Sequence, residues 1–209
     1  MKERPILFSG PMVRAILDGS KTQMRRIVKP AGAHHIFQFR GKDEARGADE
    51  QTGEWAWCSS AHVVSEHVRC PYGKPGDRLW VRETWQGPMW DEGTWDADTD
   101  YHSPKFCEYR ADVGPTPEYV DFEDNLHQGW KPSIHMPRWA SRITLEVTTV
   151  RVERVQEISD DDAFAEGCPS DASFPIDWYR DLWNGLNAAR GFGWEKNPWV
   201  WVVEFRRMP

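Results

Sequence analysis

The sequence lacks any apolar run approaching the roughly 18 residues that a membrane-spanning helix needs, and Met1 to Phe8 hold no apolar signal region. A cytoplasmic protein without membrane partners is the expectation. Cysteine is sparse: Cys58, Cys70, Cys107 and Cys168 are scattered along 209 residues. That excludes a disulfide scaffold and favours free thiols. No internal repeat occurs, which excludes a solenoid. Positive charge is also short. The net charge of −7 speaks against a protein that coats nucleic acid. Disorder is excluded by composition, since 39% hydrophobic and 28% charged residues are globular values. A chain of this length buries a sizeable core, and we read residues 1–209 as one domain.

What is there is uneven. Thirteen tryptophans are interleaved with polar residues. Seven bases and one acid, Asp18, lie between Arg14 and Lys42, whereas Asp91 to Asp124 holds eleven acids and two bases. This acidic stretch, at −9, exceeds the charge of the whole chain, so a basic face with an acidic appendage fits better than a uniformly acidic body. The appendage reads as a solvated loop, with a protein-binding surface or a mimic of nucleic acid as the sharper alternatives.

The chain is organised around Ser9 to Lys29. Pro11 suits a first helical position with Ser9 or Gly10 capping ahead of it, Val13, Ile16 and Leu17 recur at helical spacing, and Gly19 ends the helix. Charge and polarity alone then predict a solvated basic turn from Ser20 to Arg26, with a strand starting at Ile27-Val28. Residues 31–62 read as an irregular excursion with a hairpin near Phe37–Phe39 and Trp55–Trp57. Two Pro and two Gly within C-P-Y-G-K-P-G-D force a turn before a β-rich run from Leu79 to Trp85. Phe106 to Arg110 reads as a short strand. Trp130 to Arg142 is a compact proline-flanked segment carrying His135, Arg138 and Trp139. Ile143 to Val152 alternates with a slip of one, giving a long strand with a bulge or two strands with a bend. Ser159 caps a helix ending near Glu166 and Gly167. A second helix spans about Pro175 to Ala188, with Trp178, Tyr179, Leu182, Trp183 and Leu186 as its apolar stripe. Trp199 to Phe205 is the closing strand.

Gly19-x-Lys21-x-x-Met24-x-Arg26 resembles the Gly-x-Lys-x-x-Glu-x-Arg signature of the ASCH domain, a PUA-like family associated with RNA. One branch of that family places Thr where Glu stands, and it includes small bacterial acetylcytidine amidohydrolases. The resemblance covers roughly residues 5–30, 73–85 and 141–207, and the segment from Trp130 to Arg142 is similar to one found in phage-encoded ASCH proteins. It implies an α+β fold: a PUA-like small mixed β-barrel with flanking helices and irregular insertions at about 31–72 and 86–129. For a phage or prophage protein it also implies the cytoplasm of a bacterial host.

Two functions follow. In the first, a basic cleft binds RNA, single-stranded nucleic acid or a nucleotide. Lys21, Arg25, Arg26, His135 and Arg138 then meet phosphates or base edges, and Trp80 or Trp139 stacks a base. In the second, the resemblance implies an amidohydrolase for an acylated nucleoside, with Lys21 as base and Glu166 handling the leaving amine. Its nucleophile position holds Met24, whose thioether cannot form an ester, and Thr22 is the nearest hydroxyl. Either function expects Lys21 and Glu166 to face each other across one cleft. No cofactor is expected. Cys58-x3-His62-x4-His67-x2-Cys70 has metal-capable side chains but matches no standard zinc spacing, so no metal is expected either.

Overall fold

The computed structural model describes residues 1–29, 38–41, 54–59, 62–63, 68–89, 96–112, 114–120 and 125–209. In chain order, strand β1 (Glu3–Leu7) leads into helix α1 (Gly10–Leu17), then β2 (Gln23–Ile27), β3 (Gln38–Gly41), β4 (Glu54–Ser59), β5 (His62–Val63) and β6 (Val68–Arg69). Next come β7 (Arg78–Arg82), β8 (Trp85–Gln86), β9 (Glu108–Tyr109), β10 (Glu118–Val120) and β11 (Leu126–Gln128). The chain ends with β12 (Thr144–Arg154), α2 (Asp160–Ala165), α3 (Pro175–Asn187) and β13 (Trp199–Arg207). The class is α+β. Its main sheet has the order β1-β7-β12-β13-β2, with β1 parallel to β7 and the other pairs antiparallel.

The main core lies on one face of this sheet, where α1 contributes Val13 and Ile16 against Leu79, Val81, Leu145, Val147, Trp201 and Val203. A second cluster lies on the other face, where Val200 and Val202 meet Ala163 of α2 and Tyr179 and Trp183 of α3. Strand β13 is therefore buried on both sides, which is why its sequence runs almost continuously apolar. The slip in the β12 pattern is a register shift against β13 between Val147 and Thr149. A satellite cluster of Trp85, Tyr109, Met136 and Ala140 attaches part of the acidic region, and Arg142 bridges Glu83 and Asp112 beside it. Phe39 pairs with Trp57 in the β3–β4 ladder, as the hairpin reading required. No helix among the described residues is long and apolar enough to cross a membrane.

The solvated turn expected from Ser20 to Arg26 is corrected. Gln23 to Ile27 is a strand paired with Val200 to Glu204, and Lys21, Gln23 and Arg25 are buried. Polar side chains on a buried edge strand read as a loop until their partners are known, and those partners lie about 130–145 residues downstream. The run read as one strand to Trp85 breaks after Arg82, and Trp85 starts the short β8. Phe106 instead ends a turn of 3₁₀ helix before β9.

Among the described residues no ladder joins β1 to β2, the two edges of the main sheet. A side chain links them: the Arg26 guanidinium donates to the Leu7 carbonyl at 2.8 Å.

Candidate functional site

The cleft begins with two glycines that bring α1 and α2 together. Gly19 takes a positive φ (85°) after α1 and turns the chain toward Lys21. Gly167 takes φ 98° after α2, and a Cβ there would stand 3.2 Å from the Ala15 Cβ. Only glycine suits such a conformation at such an approach. The backbones then lock: the Lys21 N–H donates to Ala15, the Thr22 N–H donates to Ala165, and Lys21 and Glu166 form an isolated antiparallel bridge. Ser159 caps α2 with a reciprocal box to Asp162, which fixes the helix that carries both Asp162 and the terminal Glu166.

On this frame Lys21 and Glu166 meet directly. The Lys21 ammonium donates to Glu166 Oε2 at 2.6 Å and to the Glu166 backbone carbonyl at 2.8 Å. Their side chains are 1% and 4% exposed, so this is a buried ion pair. Burial holds the Lys21 pKa below its ordinary value, although the Glu166 carboxylate pulls the other way. Arg25, alternating onto the same side of β2, donates to Glu166 Oε1 at 3.3 Å, Asp162 Oδ2 at 2.9 Å and Glu153 Oε2 at 3.1 Å. Arg151 completes the network through Asp162, Glu153 and Glu204. Gln23 donates to the Asp162 side chain and carbonyl. Burial raises the Asp162 pKa, but the bond from Gln23 and the charges of Arg25 and Arg151 outweigh it and leave it lowered.

Lys21, Arg25 and Glu166 border a cleft of about 760 Å³ between the sheet edges β1 and β2 and helix α3. Among the described residues its lining includes six cationic residues, Lys21, Arg25, Arg26, Lys29, Arg82 and Arg190, against the one carboxylate of Glu166. Phe8, Tyr72, Tyr179 and Phe192 supply aromatic surface, and Met12 and Met24 apolar surface. The Arg26 and Lys21 cations lie 5.6 and 6.0 Å from the centre of the Phe8 ring. The Nε atoms of Arg25, Arg26 and Arg82 are buried with no hydrogen-bond partner among the described residues.

The structure thus brings Lys21, Arg25, Arg26 and Glu166 to one place. Thr22 is exposed and does not line the cleft. Met24 does line it, only 2% exposed and packed into the main core. Trp80, His135, Arg138 and Trp139 are not among the lining residues. Trp80 is buried beneath the Arg82 and Arg138 guanidinium groups. Arg138 also pairs with Glu3, His135 is exposed on a short 3₁₀ turn, and Trp139 meets Trp85 and His102 edge-on. Sequence reasoning missed Asp162, Glu153 and Arg151, because a capping acid and two alternating strand charges look locally satisfied. It also missed Arg82 and Arg190, which only the fold brings to β2.

Of the Cys58, His62, His67 and Cys70 set, the side chains of the first three fall outside the described residues. Cys70 is buried, and burial pushes its thiol pKa up to about 12. Among the described residues no three His, Cys, Asp or Glu side chains are arranged so that they could hold a metal ion.

No family model matches the sequence, and no curated protein matches it. Among solved structures the chain is similar to the ASCH domain from Lactobacillus crispatus JV V101, with a TM-score of 0.41 and 8% identity, over 99% of this chain and 79% of that one.

Proposed function

We propose that this protein is a PUA-like module that binds a nucleotide or single-stranded nucleic acid in the cleft between β1, β2 and α3. The observation that carries the reading is the lining itself: among the described residues, six cations against one carboxylate, with aromatic rings interspersed. Phosphate contacts supply affinity and position, and aromatic faces accept any base. A cleft of this size suits one or a few nucleotides rather than a duplex. The resemblance of the Gly19–Arg26 motif to the ASCH signature points the same way, and the reading takes the main sheet as a small barrel whose seam is the cleft. An origin in a phage or prophage belongs to the same reading.

Fluorescence anisotropy with a labelled single-stranded RNA at low salt tests it. Binding should weaken steeply with salt, and Arg26→Gln should weaken it by a similar factor for unrelated sequences. No binding of the RNA or of a free nucleotide at low salt, where charge acts most strongly, overturns the reading.

The buried Lys21–Glu166 pair favours a second reading, hydrolysis of an acylated nucleoside such as acetylcytidine, because desolvation helps a lysine act as a base. Met24 weighs against it, since it offers no nucleophile and the Thr22 hydroxyl is outside the cleft lining.

A further inference from the structure

We propose that the cleft holds a single nucleoside monophosphate unit, with its phosphate on a rim formed by Arg26, Arg82 and Arg190 and its uncharged base turned toward the Lys21–Glu166 pair. This rests on the nucleotide-binding reading above and gives it a direction. The argument is a division of charge within one cavity. At the floor, Lys21 is engaged by Glu166, and Arg25 is shared among Glu166, Asp162 and Glu153. A phosphate placed there would find its cations already neutralised and would face carboxylates across a short distance.

The rim differs. Arg26, Arg82 and Arg190 have no carboxylate partner among the described residues. Arg26 and Arg82 donate to the backbone carbonyls of Leu7 and Ile134, which leaves their charge uncompensated. The fold converges them: Leu7 is the register partner of Arg82 in the β1–β7 ladder, and the Leu7 carbonyl receives Arg26. Arg190 reaches the same cavity from the turn that follows α3, and it lines that cavity together with Arg26, Arg82 and Tyr72. Guanidinium groups suit this role because their planar fork matches two phosphate oxygens.

The floor suits a base edge. The Lys21 ammonium has three N–H donors and uses two on Glu166. The Glu166 carboxylate accepts one bond on each oxygen and keeps acceptor capacity. A donor and an acceptor therefore stand side by side, which is the pattern that a neutral nucleobase edge complements.

Calorimetric titration of the full chain with the four ribonucleosides and their 5′-monophosphates is the test. Single-stranded RNA octamers bearing a 5′-phosphate or a 5′-hydroxyl form a second arm. At least one monophosphate should bind about tenfold or more tightly than its nucleoside, as charge-assisted bonds to phosphate imply. Arg82→Gln should cut that ratio at least about threefold with little change for the nucleoside. Arg190→Gln, at an exposed position, should do the same without affecting folding. Free mononucleotides binding as tightly as the phosphorylated octamer identify a small-molecule source, whereas an octamer that needs its 5′-phosphate identifies a strand end, and both support the proposal. Two results overturn it alone: nucleosides matching monophosphates, or a 5′-hydroxyl octamer matching the phosphorylated one while mononucleotides stay silent. Silence from every ligand at low salt overturns it together with the nucleotide-binding reading.

Discussion

Glu166→Gln isolates the buried charge on which the cleft floor depends. The substitution keeps size and shape but removes the one carboxylate that Lys21 contacts among the described residues. Arg25 loses less, since Asp162 and Glu153 remain at 2.9 and 3.1 Å. Leaving a buried charge without its partner costs about 3–5 kcal/mol. The lower end, about 3 kcal/mol, applies here, because the backbone carbonyl of residue 166 and the new amide oxygen still accept from Lys21. For a chain of this size that corresponds to a fall in Tm of roughly 6–12 °C. Urea unfolding followed by tryptophan fluorescence measures it. Lys21→Met combined with Glu166→Gln should return to within about 1.5 kcal/mol of wild type, since no uncompensated ammonium remains. A single variant losing under about 1 kcal/mol, or a double variant no better than the single one, would refute the reasoning.

Three further outcomes are expected. Ser159→Ala removes the side chain that caps α2 and should cost about 1 kcal/mol in the same urea assay. Asp77 is desolvated, but bonds from Arg4 and from the Lys2 and Lys74 amides more than offset that and lower its pKa; its stabilisation is present above the unfolded value near 4 and lost as pH falls through the lower folded value, so Asp77→Asn should flatten the acid limb of a stability–pH curve below about pH 4. Wild-type protein should leave acetylcytidine intact in a chromatographic assay, and Met24→Thr should restore at most weak turnover, because the neighbours of this 2%-exposed side chain pack against a thioether.

Much of the fold was legible because its signals are local. Pro11 and Gly19 bracket α1, the Ser159–Asp162 box starts α2, and the slip near Val147 foretells the β12 register shift. Strand β2 was not legible. Its Gln23 and Arg25 belong to carboxylates far along the chain, and local polarity cannot distinguish a solvated turn from a buried network. The site divided in the same way. Lys21, Arg25, Arg26 and Glu166 stood out through the motif and its resemblance. Arg82 and Arg190 carry no local signal, since only the tertiary fold brings them to the same cavity. Conversely, the cations and tryptophans of Trp130 to Arg142 look like a binding segment in sequence, yet Trp139 and Met136 serve a satellite core.

The most direct test of nucleotide binding in this cleft is methionine-methyl NMR, because Met12 and Met24 line it and Met89, Met136 and Met208 do not. Titration with the ribonucleoside 5′-monophosphates should shift the Met12 and Met24 methyl resonances in a saturable way, while those of Met89, Met136 and Met208 stay in place. Saturable shifts confined to the latter three, or no shift at any methionine, would contradict the account.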